Sequence, residues 1–255
     1  MSIMKCNICG NQSFKNVYIS PDDFKVLECT RCGLLFQPEI HEYKEDYYKK
    51  QHKNYFFYEK VRPDYIKAFN KINKNNGKLL DLGCGTGVFL EYVKKNFWNG
   101  KGIELSKYCV KICKNKGLDV LQCDILNFET KEKFDVISIL DALDHFQNPS
   151  LLISKCKRWL KDDGVILLTV TNHDQPFNFI RNKIFTKHHL FFFTPKSITD
   201  LARKHHLSCY IYIENPPVET MDKYKNMFRF VRFFINIEIV GFLYKKGKLI
   251  RNEVF

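Results

Sequence analysis

The chain has 255 residues and 45% hydrophobic content, enough for one well-buried α/β domain and a small appendage. No apolar run reaches about 18 residues and the N-terminal stretch lacks the basic-then-apolar pattern of a secretory signal, so neither a membrane span nor export is predicted. The net charge of +13 leaves two interpretations open: a generally basic surface from compositional drift, or a polyanionic or membrane-surface partner.

Residues 1–40 contain two Cys-x-x-Cys-Gly knuckles, Cys6 with Cys9 and Cys29 with Cys32. Two such turns about 20 residues apart predict a tetrahedral four-thiolate site that suits Zn²⁺. Without an export signal we expect a reducing cytoplasm, where paired cysteines bind metal rather than form disulfides. Four thiolates leave no open position for chemistry, so the predicted zinc-binding knuckle is structural.

Residues 41–75 are predicted to be a connector and a first helix. The connector, 41–58, is rich in charged and aromatic residues and is interpreted as a segment that packs over the core or forms a lid. Residues 58–74 place apolar side chains on one helical face, with Pro63 near the first turn.

From residue 76 onward, strands and helices alternate, which favours a doubly wound, mostly parallel α/β sheet. The predicted strands are 78–82, 100–104, 119–123, 134–140, 165–170 and 208–213. The predicted helices are 88–96, 107–116, 151–160 and 194–205. The sequence KDDG at 161–164 is predicted to be a turn.

The C-terminal tail, 224–243, is apolar on more than one face and carries Arg229 and Arg232. We expect a helix docked on the sheet, with a basic amphipathic helix at a membrane surface as the alternative. Residues 247–255 are predicted to be an edge strand.

The loop after the first strand of this domain reads LLDLGCGTG, with Gly83, Gly85 and Gly87 in alternate positions. A dinucleotide loop has G-x-G-x-x-G spacing, whereas Val88 stands in the last position here. Asp81 precedes the first glycine, which favours a ligand with an ammonium group. Glu104 ends the next strand and is suited to a ribose diol, and Asp124 follows the third strand.

Together, LLDLGCGTG, GIELS, QCDIL and FDVISILDALDHFQNP resemble the successive motifs of class I S-adenosylmethionine-dependent methyltransferases. The resemblance runs from about residue 78 to 213. It implies a seven-stranded sheet, S-adenosylmethionine as cofactor, and methyltransferase activity. By position, it implies the following cofactor contacts: Asp81, Gly83, Cys84 and Gly85 at the methionine end; Glu104 and Leu105 at the ribose; Asp124 and Ile125 at the adenine; Leu140 and Asp141 near the methionine and sulfonium. Cys84 occupies a variable position and is interpreted as small-residue packing.

Candidate catalytic groups are Asp144 and His145, after the fourth strand, and His189 in the segment HHLFFFTP. A similar acid-x-x-acid-His stretch accompanies a divalent ion in ubiquinone-type O-methyltransferases, so a metal is one alternative. His189 matches a segment that covers the acceptor pocket in many sugar methyltransferases, and its structural alternative is to cap the next helix. His173 is a further candidate base.

The resemblance implies methylation of a small molecule, sugar nucleotide or glycan, with O-methylation in bacterial surface polysaccharide biosynthesis as the favoured case. An rRNA base methyltransferase with a zinc finger is the first alternative. A non-catalytic nucleic-acid-binding relic of the fold is the second.

Overall fold

Strands alternate with helices along most of the chain, as the sequence predicts. The computed structural model describes residues 4–19, 24–38, 60–174, 185–214 and 238–245. Its strands are β1 (Phe14–Ile19), β2 (Lys25–Cys29), β3 (Leu35–Phe36), β4 (Gly77–Leu82), β5 (Trp98–Glu104), β6 (Asp119–Gln122), β7 (Phe134–Leu140), β8 (Leu160–Thr171), β9 (Phe191–Phe192), β10 (Ser208–Glu214) and β11 (Glu238–Tyr244). Its α-helices are α1 (Pro63–Asn70), α2 (Val88–Lys95), α3 (Lys107–Asn115), α4 (Pro149–Trp159) and α5 (Pro195–Lys204).

Seven strands form the main sheet in the order β10-β11-β8-β7-β4-β5-β6. Neighbours from β8 through β6 are parallel, and β11 runs antiparallel to both β8 and β10. The predicted fold class is therefore confirmed. Since β4 has β5 on one side and β7 on the other, the strand order reverses at β4, and sheets of this kind bind ligands in the crevice outside the carboxyl ends of the strands at such a point.

Buried side chains cover both faces of this sheet, because alternate residues of each strand point to opposite sides. In β4, Leu80 and Leu82 belong to the hydrophobic cluster that includes α4, α5 and the N-terminal knuckle. Leu79 belongs to the cluster on the other face, which includes α1, α2 and α3. The knuckle therefore packs against the same sheet face as α4 and α5.

The knuckle builds a second sheet, of order β1-β2-β3-β9. Its last strand, β9, comes from the segment HHLFFFTP. Leu35 pairs with Phe192 and Phe36 with Phe191, in antiparallel register. The N-terminal appendage is thus joined by backbone hydrogen bonds to the segment that carries His189.

The first helix and the KDDG segment differ from their predictions. Helix α1 spans Pro63–Asn70 rather than 58–74, with Pro63 in its first turn. The predicted KDDG turn at 161–164 is instead an irregular part of β8. Phe134 pairs with Leu160 and Val136 pairs with Val165. The four residues 161–164 of β8 therefore stand opposite a single residue of β7, Asp135. The turn-forming residues produce a bulge because the strand pairs on both sides of them.

The predicted tail helix is wrong where the structure describes it, because residues 238–243 belong to β11. Ile239, Val240 and Phe242 are fully buried between β8 and β10, which favours an extended segment covered on both faces. Residues 224–237, the connector at 41–58 and the segment 247–255 lie outside the described residues. Among the helices that the structure describes, none has the length and hydrophobicity needed to cross a bilayer.

Candidate active site

The glycine-rich loop links β4 to α2 and lies at the crevice. Gly83, Gly85 and Gly87 all have positive φ, at 76°, 53° and 77°. At Gly87, which precedes the first residue of α2, a Cβ atom would also lie 2.4 Å from Leu118 Cδ1. Only glycine fits this conformation without strain, and the loop brings backbone N–H groups to the sheet edge.

Two buried carboxylates stand beside this loop. Asp81 is 3% exposed, and Ser138 Oγ donates a hydrogen bond to its Oδ1 at 2.6 Å. Burial, opposed by that hydrogen bond and reinforced by the charge of Glu104, raises the pKa of Asp81 to about 7. Glu104 accepts hydrogen bonds from the backbone N–H of Gly85 at 2.9 Å and of Ser106 at 2.8 Å. Two acids buried together favour a cationic ligand at this point.

The remaining predicted cofactor residues follow the same sheet edge. Leu105 is 54% exposed directly after β5, and Asp124 is exposed after β6, where its Oδ1 accepts from Leu126 N at 2.9 Å. Ile125 is buried in the core. Cys84 is buried, and its hydrogen bond with Cys113 together with burial raises the pKa of the thiol, so it is protonated.

Asp141, directly after β7, is held by a clamp that the sequence did not suggest. Its Oδ2 accepts hydrogen bonds from Arg62 Nη1 and, at 2.8 Å, from Tyr65 Oη, and its Oδ1 accepts from Thr169 Oγ1 at 2.9 Å. Arg62 also pairs with the buried Asp64 at 2.7 Å. Asp141 adopts φ 48°, a left-handed conformation that this network stabilises. Asp141 is the first acid of the acid-x-x-acid-His stretch that was considered for a divalent ion. Both oxygens of its carboxylate already accept hydrogen bonds from neighbouring side chains.

Asp144, His145 and His189 come together beyond the end of β7, although His189 is distant in sequence. Asp144 Oδ2 lies 3.4 Å from His189 Nδ1, and Asp144 Oδ1 lies 3.8 Å from His145 Nε2. The two imidazole rings meet edge to face, with centroids 4.9 Å apart. One ligand-type atom from each residue lies within 4.8 Å of the others. The structure thus joins the three predicted catalytic residues.

The Asp144–His189 pair contains two polar atoms whose hydrogen-bonding capacity is not used within the described residues. Both Asp144 Oδ1 and His189 Nδ1 are buried, and neither has a hydrogen-bond partner within the described residues. Burial lowers the pKa of His189, opposed by the nearby charges of Asp144 and Asp141. The imidazole is therefore neutral at neutral pH, the state in which it can accept a proton.

The other histidines have different surroundings. His173 is buried, stacks on Phe185 with ring centroids 5.5 Å apart, and meets Phe192 edge to face at 4.9 Å. His205 Nε2 hydrogen-bonds Ser150 Oγ at 3.0 Å near the end of α5. Helix α5 is capped by Thr194, which exchanges hydrogen bonds with Ser197, so His189 does not serve as its cap.

The four knuckle cysteines form a second candidate site. Cys6 Sγ lies 3.5 Å from Cys32 Sγ, and Cys9 Sγ lies 3.5 Å from Cys29 Sγ. All four sulfurs lie within 4.8 Å of one another. Four sulfurs about 2.3 Å from a tetrahedral ion would stand about 3.8 Å apart, so the cluster has the size of a zinc site.

Comparisons with known proteins agree with this arrangement. A family model described as a methyltransferase domain matches residues 51–210. The (S)-coclaurine N-methyltransferase of Papaver somniferum is 34% identical over 109 residues, or 39% of this chain and 31% of that protein. The ubiquinone biosynthesis O-methyltransferase of Actinobacillus pleuropneumoniae serotype 7 (strain AP76) is 32% identical over 128 residues, or 44% of this chain and 53% of that protein.

These alignments span about half, or less, of the curated relatives' length. Among solved structures, an S-adenosylmethionine-dependent methyltransferase from Archaeoglobus fulgidus superposes with a TM-score of 0.61 at 18% identity. The superposition covers 78% of this chain and 99% of that one. At such low identity, the likeness shows a shared fold.

Proposed function

Because the chain belongs to the methyltransferase domain family whose model matches residues 51–210, we propose that it transfers the methyl group of S-adenosylmethionine to a hydroxyl oxygen of a small-molecule or sugar acceptor. The observation that supports oxygen as the nucleophile is the buried Asp144–His189 pair, in which Asp144 Oδ2 lies 3.4 Å from His189 Nδ1 and Nε2 of the same ring is left to accept a proton. A neutral hydroxyl is the acceptor that gains most from such a base.

In this proposal the crevice at β4 holds the cofactor. Asp81, beside the glycine loop, receives the ammonium of the methionine moiety, and because its carboxyl is almost fully buried, water competes little for it. Glu104 and Leu105 hold the ribose, and Asp124 and Ile125 hold the adenine. Gly83, Cys84, Gly85, Leu140 and the clamped Asp141 shape the methionine end.

The chemistry then needs placement and one proton acceptor. The sulfonium methyl is electrophilic when bound, so the acceptor oxygen forms the new C–O bond as the C–S bond breaks, leaving S-adenosylhomocysteine. Nδ1 of His189 faces Asp144, so Nε2 takes the hydroxyl proton. Asp144 stabilises the resulting imidazolium, and exclusion of water protects the reaction.

Relatives named for ubiquinone and for coclaurine support a small-molecule acceptor class. The sugar or glycan acceptor, and its place in surface polysaccharide synthesis, rests on the resemblance of the HHLFFFTP segment to that of sugar methyltransferases.

The proposal includes Zn²⁺ in the knuckle. The sulfur separations of 3.5 Å are close to the spacing around a tetrahedral ion. Cys6, Cys9, Cys29 and Cys32 would hold it as thiolates. The ion would add its binding free energy to the stability of the knuckle.

We expect His189→Asn to lower kcat by about 100-fold or more, because it removes the proton acceptor. Because the pKa of His189 is lowered, wild-type kcat should fall only below about pH 6.5, the ordinary pKa of imidazole. This loss of activity at acidic pH should be absent from the pH profile of the variant. Steady-state kinetics across pH, with S-adenosylmethionine affinity from calorimetry, measures both. His206→Asn is the matched control, since His206 is exposed and has φ 53°, which asparagine tolerates.

The same series includes His145→Asn. If His145→Asn lowers kcat by about 100-fold and His189→Asn keeps full activity, His145 and not His189 is the proton acceptor. Full activity in both would remove the pair from the mechanism.

The acceptor class is tested by transfer of radiolabelled methyl groups from S-adenosylmethionine into separated extract fractions. We expect label in small molecules, sugar nucleotides or glycans. Label confined to rRNA would overturn the acceptor class and make the basic charge of +13 functionally relevant. Cofactor binding without label in any fraction would contradict the enzymatic proposal.

A further inference from the structure

We propose that Gln37, at the end of the knuckle, is a positioning residue that holds His189 in place beside Asp144. The inference rests on the proposed role of His189 as the proton acceptor. It gives the N-terminal knuckle a part in methyl transfer through its contact with the acceptor end of the site.

The Gln37 side chain bridges the turn that leads into His189. It is 5% exposed, and its Nε2 donates hydrogen bonds to Thr186 O at 2.9 Å and to His189 O at 2.6 Å. Its backbone N–H donates to Leu190 O at 2.9 Å. One residue of the knuckle therefore fixes three carbonyls around His189, and both hydrogens of the amide are used.

The opposite side of the turn is held by the short 3₁₀ helix Leu143–His145. Leu190 N donates to Asp144 O at 2.8 Å, and His145 Nδ1 lies 2.9 Å from His188 O. The backbone on either side of His189 is thus tied to Gln37 on one side and to Asp144 on the other. This arrangement brings the His189 ring to 3.4 Å from the Asp144 carboxylate.

Neither methionine nor asparagine at position 37 would reproduce these two hydrogen bonds. Methionine has similar length but no donor, and asparagine keeps the amide but is one methylene shorter. Leu35 and Phe36 pair with β9 through backbone atoms, so the sheet connection is kept when the Gln37 side chain changes. A substitution at Gln37 therefore loosens the turn more than the knuckle.

The test is an NMR titration of His189 in the protein without cofactor or acceptor. The charged and titratable groups that act on this imidazole are Asp144, Asp141, His145 and His188. Histidine-selective ¹⁵N labelling gives the imidazole signals, and the His189→Asn spectrum assigns the signal of interest. Because burial is the main cause of the low pKa of His189, we expect Gln37→Met to raise that pKa towards its ordinary value. Gln12→Met, at an exposed position of the same knuckle, should leave it unchanged.

Kinetics complete the experiment. We expect Gln37→Met to lower kcat about tenfold or more, with the KM for S-adenosylmethionine within about twofold of wild type. If Gln37→Met does not give a native amide spectrum, Gln37→Asn is measured with the same expectations. An unchanged His189 pKa in the folded variant overturns the positioning role. A raised pKa with full activity supports positioning and contradicts the proposed base.

Discussion

Replacing Asp81 with Asn will weaken S-adenosylmethionine binding by about tenfold or more near pH 8, yet raise the melting temperature of the free protein. The carboxyl is almost fully buried, and its pKa in the folded protein is about 7. In the unfolded chain the corresponding pKa is about 3.9. Between these values the folded state keeps a proton that the unfolded state has lost, so the free energy of unfolding falls as pH rises through this window.

Asparagine removes that cost, because it stays neutral and its Oδ1 can still accept the hydrogen bond from Ser138. Thermal unfolding at several pH values should therefore show a gain that is small near about pH 4 and largest above about pH 7. Calorimetry should show wild-type affinity increasing with pH up to about 7, and a flat, weaker profile for the variant. Asp119→Asn, on the exposed side of β6, is the control that should change neither property. Equal affinity in Asp81→Asn would remove this carboxylate from the cofactor site.

Replacing Cys29 with Ser will remove the proposed zinc and reduce methyl transfer without loss of cofactor binding. Cys29 is fully buried at the end of β2, and its sulfur belongs to the four-cysteine cluster, 3.5 Å from Cys9 Sγ. Structural zinc sites contribute about 10–16 kcal/mol of apparent binding free energy, so loss of the ion should unfold this short segment. Since the knuckle carries Gln37 and pairs with β9, its loss should disturb His189.

Metal analysis of the wild type should give one zinc per chain, and Cys29→Ser should give none. Limited proteolysis should then cut within residues 4–38 in the variant or after chelation, while calorimetry shows S-adenosylmethionine affinity within about twofold of wild type. Cys209→Ser changes a half-buried thiol outside the cluster and should keep the metal. A folded, active and metal-free wild type would contradict the zinc proposal.

The sequence predicted elements whose signals are local. Strand β7 was predicted with its observed bounds, because a continuous apolar run is flanked by polar loops. The glycine loop was predicted because positive φ favours glycine, and the knuckles because their cysteine spacing repeats. Asp144 and His189 were both selected as candidates on separate motifs, and the fold brings them together.

Long-range features were not predictable in this way. Arg62 precedes a proline at a helix start and has no local signal for its bond to Asp141, which is far along the chain. Gln37 follows a two-residue strand, and only the pairing of β3 with β9 brings it to His189. The helix predicted for the tail is wrong at β11. Burial on both faces of this strand removes the alternation of polar and apolar residues that distinguishes a strand from a helix.

The position of β11 has a consequence for how the molecule is synthesised. This strand comes later in the chain than its two neighbours, yet it lies between β8 and β10 and pairs with each over seven residues. Until residues 238–244 have been added, the edge of β8 that faces β11 has no partner. Exposed edges of this kind pair readily with other chains. A chain that stops short of residues 238–244 should therefore keep an open sheet edge at β8, the feature by which incomplete chains pair with one another.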